Sequence, residues 1–180
     1  AYSAGHHGRW SAARRAGLVD ACLRDLFAEG EPPPGVALVA LGGYGRGELA
    51  PCSDADLLVL HLGDRPEEIA SLAERLLYPL WDAGLTVGHA VRTPDECMAI
   101  AAERLDAATA MLDARPLAGD QAAWAGVRER LLARTRQEAR VLAERLREDA
   151  RARRDRHGPV SSLLEPDVKS SEGGLRDLQS

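Results

Sequence analysis

Two short stretches carry the side chains whose types and spacing can do chemistry. The first is Gly42-Gly43-Tyr44-Gly45-Arg46-Gly47-Glu48, and the second is Ser53-Asp54-Ala55-Asp56. Glycines that follow a strand let backbone N–H groups come close to phosphate oxygens. Arg46 can add a charge-assisted contact and Ser53 a hydroxyl. Gly42, Gly43, Arg46 and Ser53 are therefore the candidates for holding the phosphates of a nucleotide. Asp54 and Asp56 stand two apart where a strand begins. Their carboxylates should share one face, roughly 6–7 Å apart along the backbone. A pair so placed can hold magnesium that also binds phosphate. In a two-metal site the ions lie about 3.5–4 Å apart and stabilise both the attacking and the leaving oxygen. Asp54 and Asp56 are thus candidate catalytic residues and metal ligands. Neither of the commoner glycine loops fits. A Walker loop needs Gly-Lys followed by Ser or Thr, and the dinucleotide fingerprint needs a long apolar helix where this chain has Asp-x-Asp.

Positioning these groups requires a scaffold, and the apolar pattern predicts one. Residues 9–29 read as a helix with Leu18, Val19, Cys22, Leu23, Leu26 and Phe27 on one face. Gly30 and the Pro32-Pro33-Pro34-Gly35 run end it. Residues 36–41 and 56–62 read as strands, the second apolar on both faces and so covered on both sides. Pro66 opens a helix to about Ala83, and residues 85–92 read as a third strand. Thr93-Pro94-Asp95-Glu96 is a helix start, and that helix is expected to reach about Ala114. A turn at 116–119 then leads into one long arginine-rich helix, about 120–155. The order predicts an α/β (α+β) chain, a small mixed sheet flanked by helices with a long helical appendage. The expected division is 1–35 as helix and linker, 36–119 as the core, 120–157 as the arginine-rich helix and 158–180 as a tail.

Bulk properties narrow the function classes. The chain has 180 residues and a net charge of −5, which argues against non-specific nucleic-acid binding. Charge is uneven, with 11 Arg against 6 acids between Arg128 and Arg156. That helix is expected to present a solvated, ion-paired face. Cys22, Cys52 and Cys97 show no zinc spacing and no disulfide framework, and are expected to be small buried thiols in a reducing cytoplasm. No run of about 18 apolar residues marks a membrane span, and His6, His7 and Arg9 are not followed by the apolar run of a signal peptide.

Gly42-Gly43-Tyr44-Gly45-Arg46-Gly47-Glu48-Leu49, Pro51, Ser53-Asp54 and Asp56-Leu57-Leu58 together resemble the signature of the PII uridylyltransferases. These are a nitrogen-sensing branch of the polymerase-β-like nucleotidyltransferases. The likeness continues through Leu80-Trp81-Asp82, Val87-Gly88-His89, Val91-Arg92-Thr93 and Glu96-Cys97. Arg115, Leu117 and Gly119-Asp120 fit the family's next turn. Leu164-Glu165-Pro166-Asp167-Val168-Lys169 and Gly173-Gly174-Leu175-Arg176-Asp177 resemble another of its blocks. The resemblance implies the polymerase-β-like fold, Mg2+ (two ions) with UTP, and transfer of UMP to a tyrosine hydroxyl of the PII signal protein with release of pyrophosphate. Neither a nucleic acid nor a membrane is implied as a partner. The family's proteins go on into an HD-type hydrolase domain and ACT domains. Nothing here resembles either, so the expectation is a piece cut at a domain edge, without the removal reaction or glutamine sensing.

Polymerase-β-like sites usually complete the metal cage with a third acid on a later strand. Residues 85–92 offer only His89, which can contact phosphate, stack or be purely structural. If 163–169 is extended, Glu165, Asp167 and Lys169 share one face. The hypothesis is that this tail returns to the site, with Glu165 or Asp167 as third carboxylate and catalytic group, Glu165 as metal ligand and Lys169 toward phosphate. Two alternatives stay open: an adenylyltransferase using ATP on PII, and a non-catalytic nucleotide-sensing module. An RNA- or small-molecule-directed transferase of the same fold is a further class, which the acidic charge disfavours.

Overall fold

Strands that are apolar on both faces must be sandwiched, and the fold is organised around that need. The structure is a computed structural model, and the described residues are 8–63, 65–157, 167, 169, 171, 172 and 174–176. Helix α1 (Arg9–Glu29) is followed by strand β1 (Ala37–Ala40), a single helical turn α2 (Gly42–Gly45) and strand β2 (Ala55–Leu60). Helix α3 (Pro66–Asp82), strand β3 (Val87–Arg92), helices α4 (Pro94–Glu103) and α5 (Leu105–Leu112) and strand β4 (Arg115–Gly119) come next. Helices α6 (Gln121–Gln137) and α7 (Ala139–His157) follow. The chain divides into two compact units, residues 1–132 and 133–180.

In the first unit the strands lie in the order β3-β2-β1-β4. Strand β1 runs antiparallel to β2 and β4, and β2 runs parallel to β3. On one face Leu38, Ala40, Leu57 and Val59 pack with Leu23 and Phe27 of α1 and Leu72, Leu76 and Leu80 of α3. On the other, Ala37, Val39, Leu58 and Leu60 pack with Cys97, Met111, Trp124 and Val127. This is the small mixed sheet flanked by helices that the sequence predicts.

Some elements differ from expectation. Residues 116–119, expected as a turn, belong to edge strand β4. Val39 pairs with Pro116 and Leu38 with Ala118, so Leu117 is the extra residue of a bulge. Proline has no N–H for a ladder, and an edge with a bulge is where a sheet tolerates it. The helix expected to reach 114 is broken at Arg104, whose backbone is extended (φ −114°, ψ 121°). Its guanidinium instead pairs with Asp106 at 2.6 Å. The start of α4 is as expected: the Thr93 hydroxyl accepts from the Glu96 N–H at 3.3 Å, and the Thr93 N–H donates back to the Glu96 carboxylate at 2.7 Å. Cys97 is buried, but Cys22 and Cys52 are exposed, against the expectation of three buried thiols. Leu18 is exposed with Cys22, so the buried face of α1 runs through Ala16, Val19, Leu23 and Phe27 and leaves those two expected members outside it. Among the described residues no helix is long and apolar enough to cross a membrane.

The second unit holds the end of α6, then α7 and the described tail residues. The single helix expected over 120–155 is two, with Glu138 between them. Arg134 pairs with Glu138 at 3.0 Å and Arg154 with Glu172 at 3.4 Å, and Arg153 is buried against Asp149. This mixture of paired arginines is the ion-paired face expected of the segment.

Candidate active site

Strand β1 ends at Ala40, and Leu41 is still extended (φ −113°, ψ 160°). Its N–H donates to the Asp56 carbonyl at 2.9 Å, which ties the start of the glycine turn to the start of β2. The chain then coils back on itself. Gly45 N–H donates to the Leu41 carbonyl at 2.8 Å, Arg46 N–H to Gly42 at 3.0 Å and Glu48 N–H to Gly43 at 2.8 Å. Gly45 must be glycine: a β-carbon there would lie 2.4 Å from the Asp113 carbonyl oxygen and 2.9 Å from that of Ala40. Both obstacles are backbone and cannot turn aside.

Asp56 is the second residue of β2 and is exposed, between buried Ala55 and Leu57. Asp54 is exposed just before the strand. Ala55 and Leu57 belong to the cluster facing α1 and α3, so strand alternation assigns Asp54 and Asp56 to the opposite face. The Asp56 carboxylate lies between two glycines. A β-carbon on Gly88 would sit 2.2 Å from its Oδ1, and one on Gly42 would sit 3.9 Å from its Oδ2. Gly88 is the register partner of Asp56 in the parallel β2–β3 pair. The structure therefore brings Gly42, Asp56 and Gly88 together at one end of the sheet.

The other expected residues are placed as follows. Arg46 pairs with Glu48 at 2.9 Å and also with Asp113, so phosphate would compete with two carboxylates for it. Ser53 is exposed, and its N–H donates to the Ala50 carbonyl at 3.2 Å. His89 pairs in register with Leu57, on the face away from Asp56, and its ring meets Trp81 edge-on at 5.8 Å. Stacking, not phosphate contact, is what its position provides. Glu165 and Pro166 lie outside the described residues. Asp167 and Lys169 belong to a turn in the second unit, not to a strand. The Lys169 N–H donates to the Asp167 carboxylate at 2.9 Å, and the Ser171 N–H to the Asp167 carbonyl at 3.0 Å. A turn of this kind removes the two-residue alternation that put Asp167 and Lys169 on one face.

Among the described residues no three His, Cys, Asp or Glu side chains gather as a metal site. The aspartate pair nevertheless suits magnesium. That ion keeps several waters and is held through one or two carboxylates together with substrate phosphates.

Residue types alone did not reveal two features. One is Gly88, visible only through register. The other is a cluster under the glycine turn built from Asp20, Tyr44 and Arg115. Asp20 is buried, as is Tyr44, whose hydroxyl donates to it at 2.8 Å. Burial and that hydrogen bond push the Tyr44 phenol well above the usual range. A signal for this cluster existed: Asp20 is an acid on the stripe Ala16, Val19, Leu23, Phe27, which is the buried side of α1.

A small mixed sheet, a glycine turn after its first strand and an aspartate pair opening its second form the arrangement expected of a nucleotidyltransferase. The family model described as GlnD PII-uridylyltransferase matches residues 127–180. A bifunctional uridylyltransferase/uridylyl-removing enzyme of Streptomyces coelicolor is 47% identical over 163 residues, covering 90% of this chain and 20% of that protein. Its counterpart in Xanthomonas campestris is 40% identical, covering 93% of this chain and 19% of that protein. The one in Corynebacterium glutamicum is 43% identical, covering 82% and 21%. Over about nine-tenths of its length the chain is thus similar to the bifunctional uridylyltransferase/uridylyl-removing enzymes, and it spans about a fifth of their length. A solved toxin–antitoxin complex with AMP-PNP aligns with 67% of this chain and 92% of its own at TM-score 0.38 and 16% identity, a likeness too slight to bear on function.

Proposed function

We propose that this chain is the transferase part of a uridylyltransferase, moving UMP from UTP to a tyrosine hydroxyl of the PII protein with release of pyrophosphate. The observation that carries the reading is the Asp56 carboxylate, exposed at a strand start and flanked by Gly42 of the glycine turn and by Gly88. The names of the relatives support the choice of nucleotide, and the family model's description supports PII.

In this reading the glycine turn and Arg46 hold the triphosphate, and Asp54 and Asp56 are the residues that would hold Mg2+. Magnesium there would neutralise phosphate charge and favour the ionised acceptor hydroxyl. The tyrosine hydroxyl releases its proton to solvent, and its oxygen attacks the α-phosphorus in line. A new P–O bond forms as the bond to the bridging oxygen breaks, and that oxygen leaves with pyrophosphate. Positioning and electrostatics do most of this work, so loss of one ligand is costly. Glu165 and Asp167 are proposed as the source of a third carboxylate, and Lys169 as a further phosphate contact. Glu165→Gln, Asp167→Asn and Lys169→Gln test these one at a time, and full activity in both acid variants removes the third-carboxylate proposal.

Labelled UTP and ATP offered with purified PII and magnesium test the whole reading. Wild type should label PII from UTP, and the Asp54→Asn/Asp56→Asn double variant should lose at least about a thousandfold, as for removing a main electrostatic stabiliser. Labelling from ATP alone would make the enzyme an adenylyltransferase. Nucleotide binding without transfer to any acceptor would make it a sensor.

A further inference from the structure

Arg115, on edge strand β4, directs its donors two ways. Nη1 and Nη2 donate to the Asp20 carboxylate at 2.7 and 3.1 Å. Nε donates to the Gly45 carbonyl at 3.2 Å, and Nη2 also reaches the Tyr44 carbonyl at 3.4 Å. Each of those carbonyls belongs to a peptide unit whose own N–H points one turn back. The Tyr44–Gly45 unit donates to the Leu41 carbonyl at 2.8 Å, and the Gly45–Arg46 unit to the Gly42 carbonyl at 3.0 Å. The N–H groups of those two accepting units are the amides of Gly42 and Gly43. Two hydrogen-bonded chains therefore run from one guanidinium to the two amides assigned to phosphate.

Hydrogen bonds in series polarise one another, more so where water is excluded. A cation on the carbonyl end of such a chain makes the N–H at its far end more positive. Asp20 fixes that cation in place. It accepts both Arg115 nitrogens and the Tyr44 hydroxyl, and Arg24 Nη2 approaches it at 3.5 Å. With Arg24 and Arg115 against one carboxylate, the cluster keeps one excess positive charge beneath the turn.

We infer that Arg115, anchored on Asp20, is a positioning residue for nucleotide phosphate: it fixes the carbonyl side of the glycine turn and strengthens the Gly42 and Gly43 N–H groups as donors. This rests on the reading of the turn as the phosphate cradle. It adds a residue more than 50 positions from the turn, whose side chain acts through the backbone.

Arg115→Lys is the informative change. Lysine keeps the charge and a contact with Asp20, but has no planar fork to reach two carbonyls and a carboxylate at once. Calorimetric binding of two probes, UTP and inorganic tripolyphosphate, each with magnesium, would be compared between wild type and variant in the 180-residue chain. Both probes should weaken by about tenfold, the size of one charge-assisted hydrogen bond, in a variant that still unfolds cooperatively. Amide NMR shifts of Gly42 and Gly43 should move upfield in the free variant, the direction that weaker polarisation of these two donors gives, whereas a purely structural loss would shift amides throughout the turn with no common direction. Unchanged binding of tripolyphosphate, or a loss confined to UTP, overturns the inference and leaves the cradle standing. Failure of wild type to bind either probe overturns the cradle itself and the inference with it. Should Arg115→Lys not fold, Asp20→Asn keeps Arg115 and removes its anchor, and the same equal loss for both probes is expected.

Discussion

Replacing Gly88 by alanine tests the geometry of the aspartate pair most directly. The new β-carbon would lie 2.2 Å from Asp56 Oδ1, 3.4 Å from Cγ and 3.9 Å from Cα. Carbon and oxygen in ordinary contact stand about 3.5 Å apart. Oδ1 must therefore retreat by roughly 1.3 Å, while the Asp56 backbone need not move. The obstacle is the end of a side chain, so rotation of the carboxylate relieves it cheaply. Alanine in a strand also recovers some of the entropy that glycine loses, so stability should change by less than about 1 kcal/mol. Catalysis should not be spared. A misplacement of about 1 Å near the reacting atoms can cost on the order of a hundredfold, or about 2.7 kcal/mol of barrier. Magnesium-dependent pyrophosphate release from UTP in the presence of PII gives the rate, and a melting curve gives the stability. Binding of Mn2+ to the free protein, followed by electron paramagnetic resonance, should weaken in parallel. Gly42→Ala is the contrasting variant. Its nearest neighbours are 3.9 Å away, but its φ of +53° is strained for alanine. It should lose about 1 kcal/mol of stability and leave the Asp56 carboxylate where it is. A Gly88→Ala protein with wild-type turnover and wild-type Mn2+ binding would refute the claim that this glycine makes room for the carboxylate.

Two further outcomes follow from packing and caps. Burial pushes the Cys97 thiol up to about 11 while Cys22 and Cys52 are exposed, so a thiol reagent at pH 8 should modify two cysteines in the native chain and three after denaturation. Because the folded thiol titrates above its usual value of 9.0, its contribution to stability is present below about pH 9 and is lost as pH rises toward 11, a decline that Cys97→Ala should flatten. Thr93→Ala removes the hydroxyl that caps α4 and should cost about 1 kcal/mol in denaturant unfolding, without altering nucleotide binding.

Sequence periodicity reached the elements whose burial is simple. Strands 37–40 and 55–60 are apolar on both faces because helices cover both, and a continuous apolar run says so without the structure. Helix α4 carries its start signal in Thr93-Pro94-Asp95-Glu96, a purely local pattern. Strand β4 was hidden for the opposite reason. Pro116 and Gly119 are local turn signals, and only pairing with β1 through a bulge makes an edge strand of them. The break at Arg104 was likewise invisible, since no glycine or proline marks it and an arginine–aspartate pair two residues apart accompanies it.

The site divides along the same line. Glycines followed by Asp-x-Asp are contiguous, so their chemistry could be argued from spacing. What holds them in register is not contiguous. Asp20 reaches Tyr44 across 24 positions and Arg115 across 95, and Gly88 matters only because parallel pairing sets it against Asp56. A motif therefore names the groups proposed to touch substrate, whereas the residues that position them are scattered wherever the sheet brings the chain back. Asp20 shows how such residues can still be sought. An ionisable side chain on the buried stripe of a helix is costly unless something answers its charge. Here the answer is Arg115 beneath the glycine turn, so a lone acid on an apolar helix face is a pointer to what supports the candidate site.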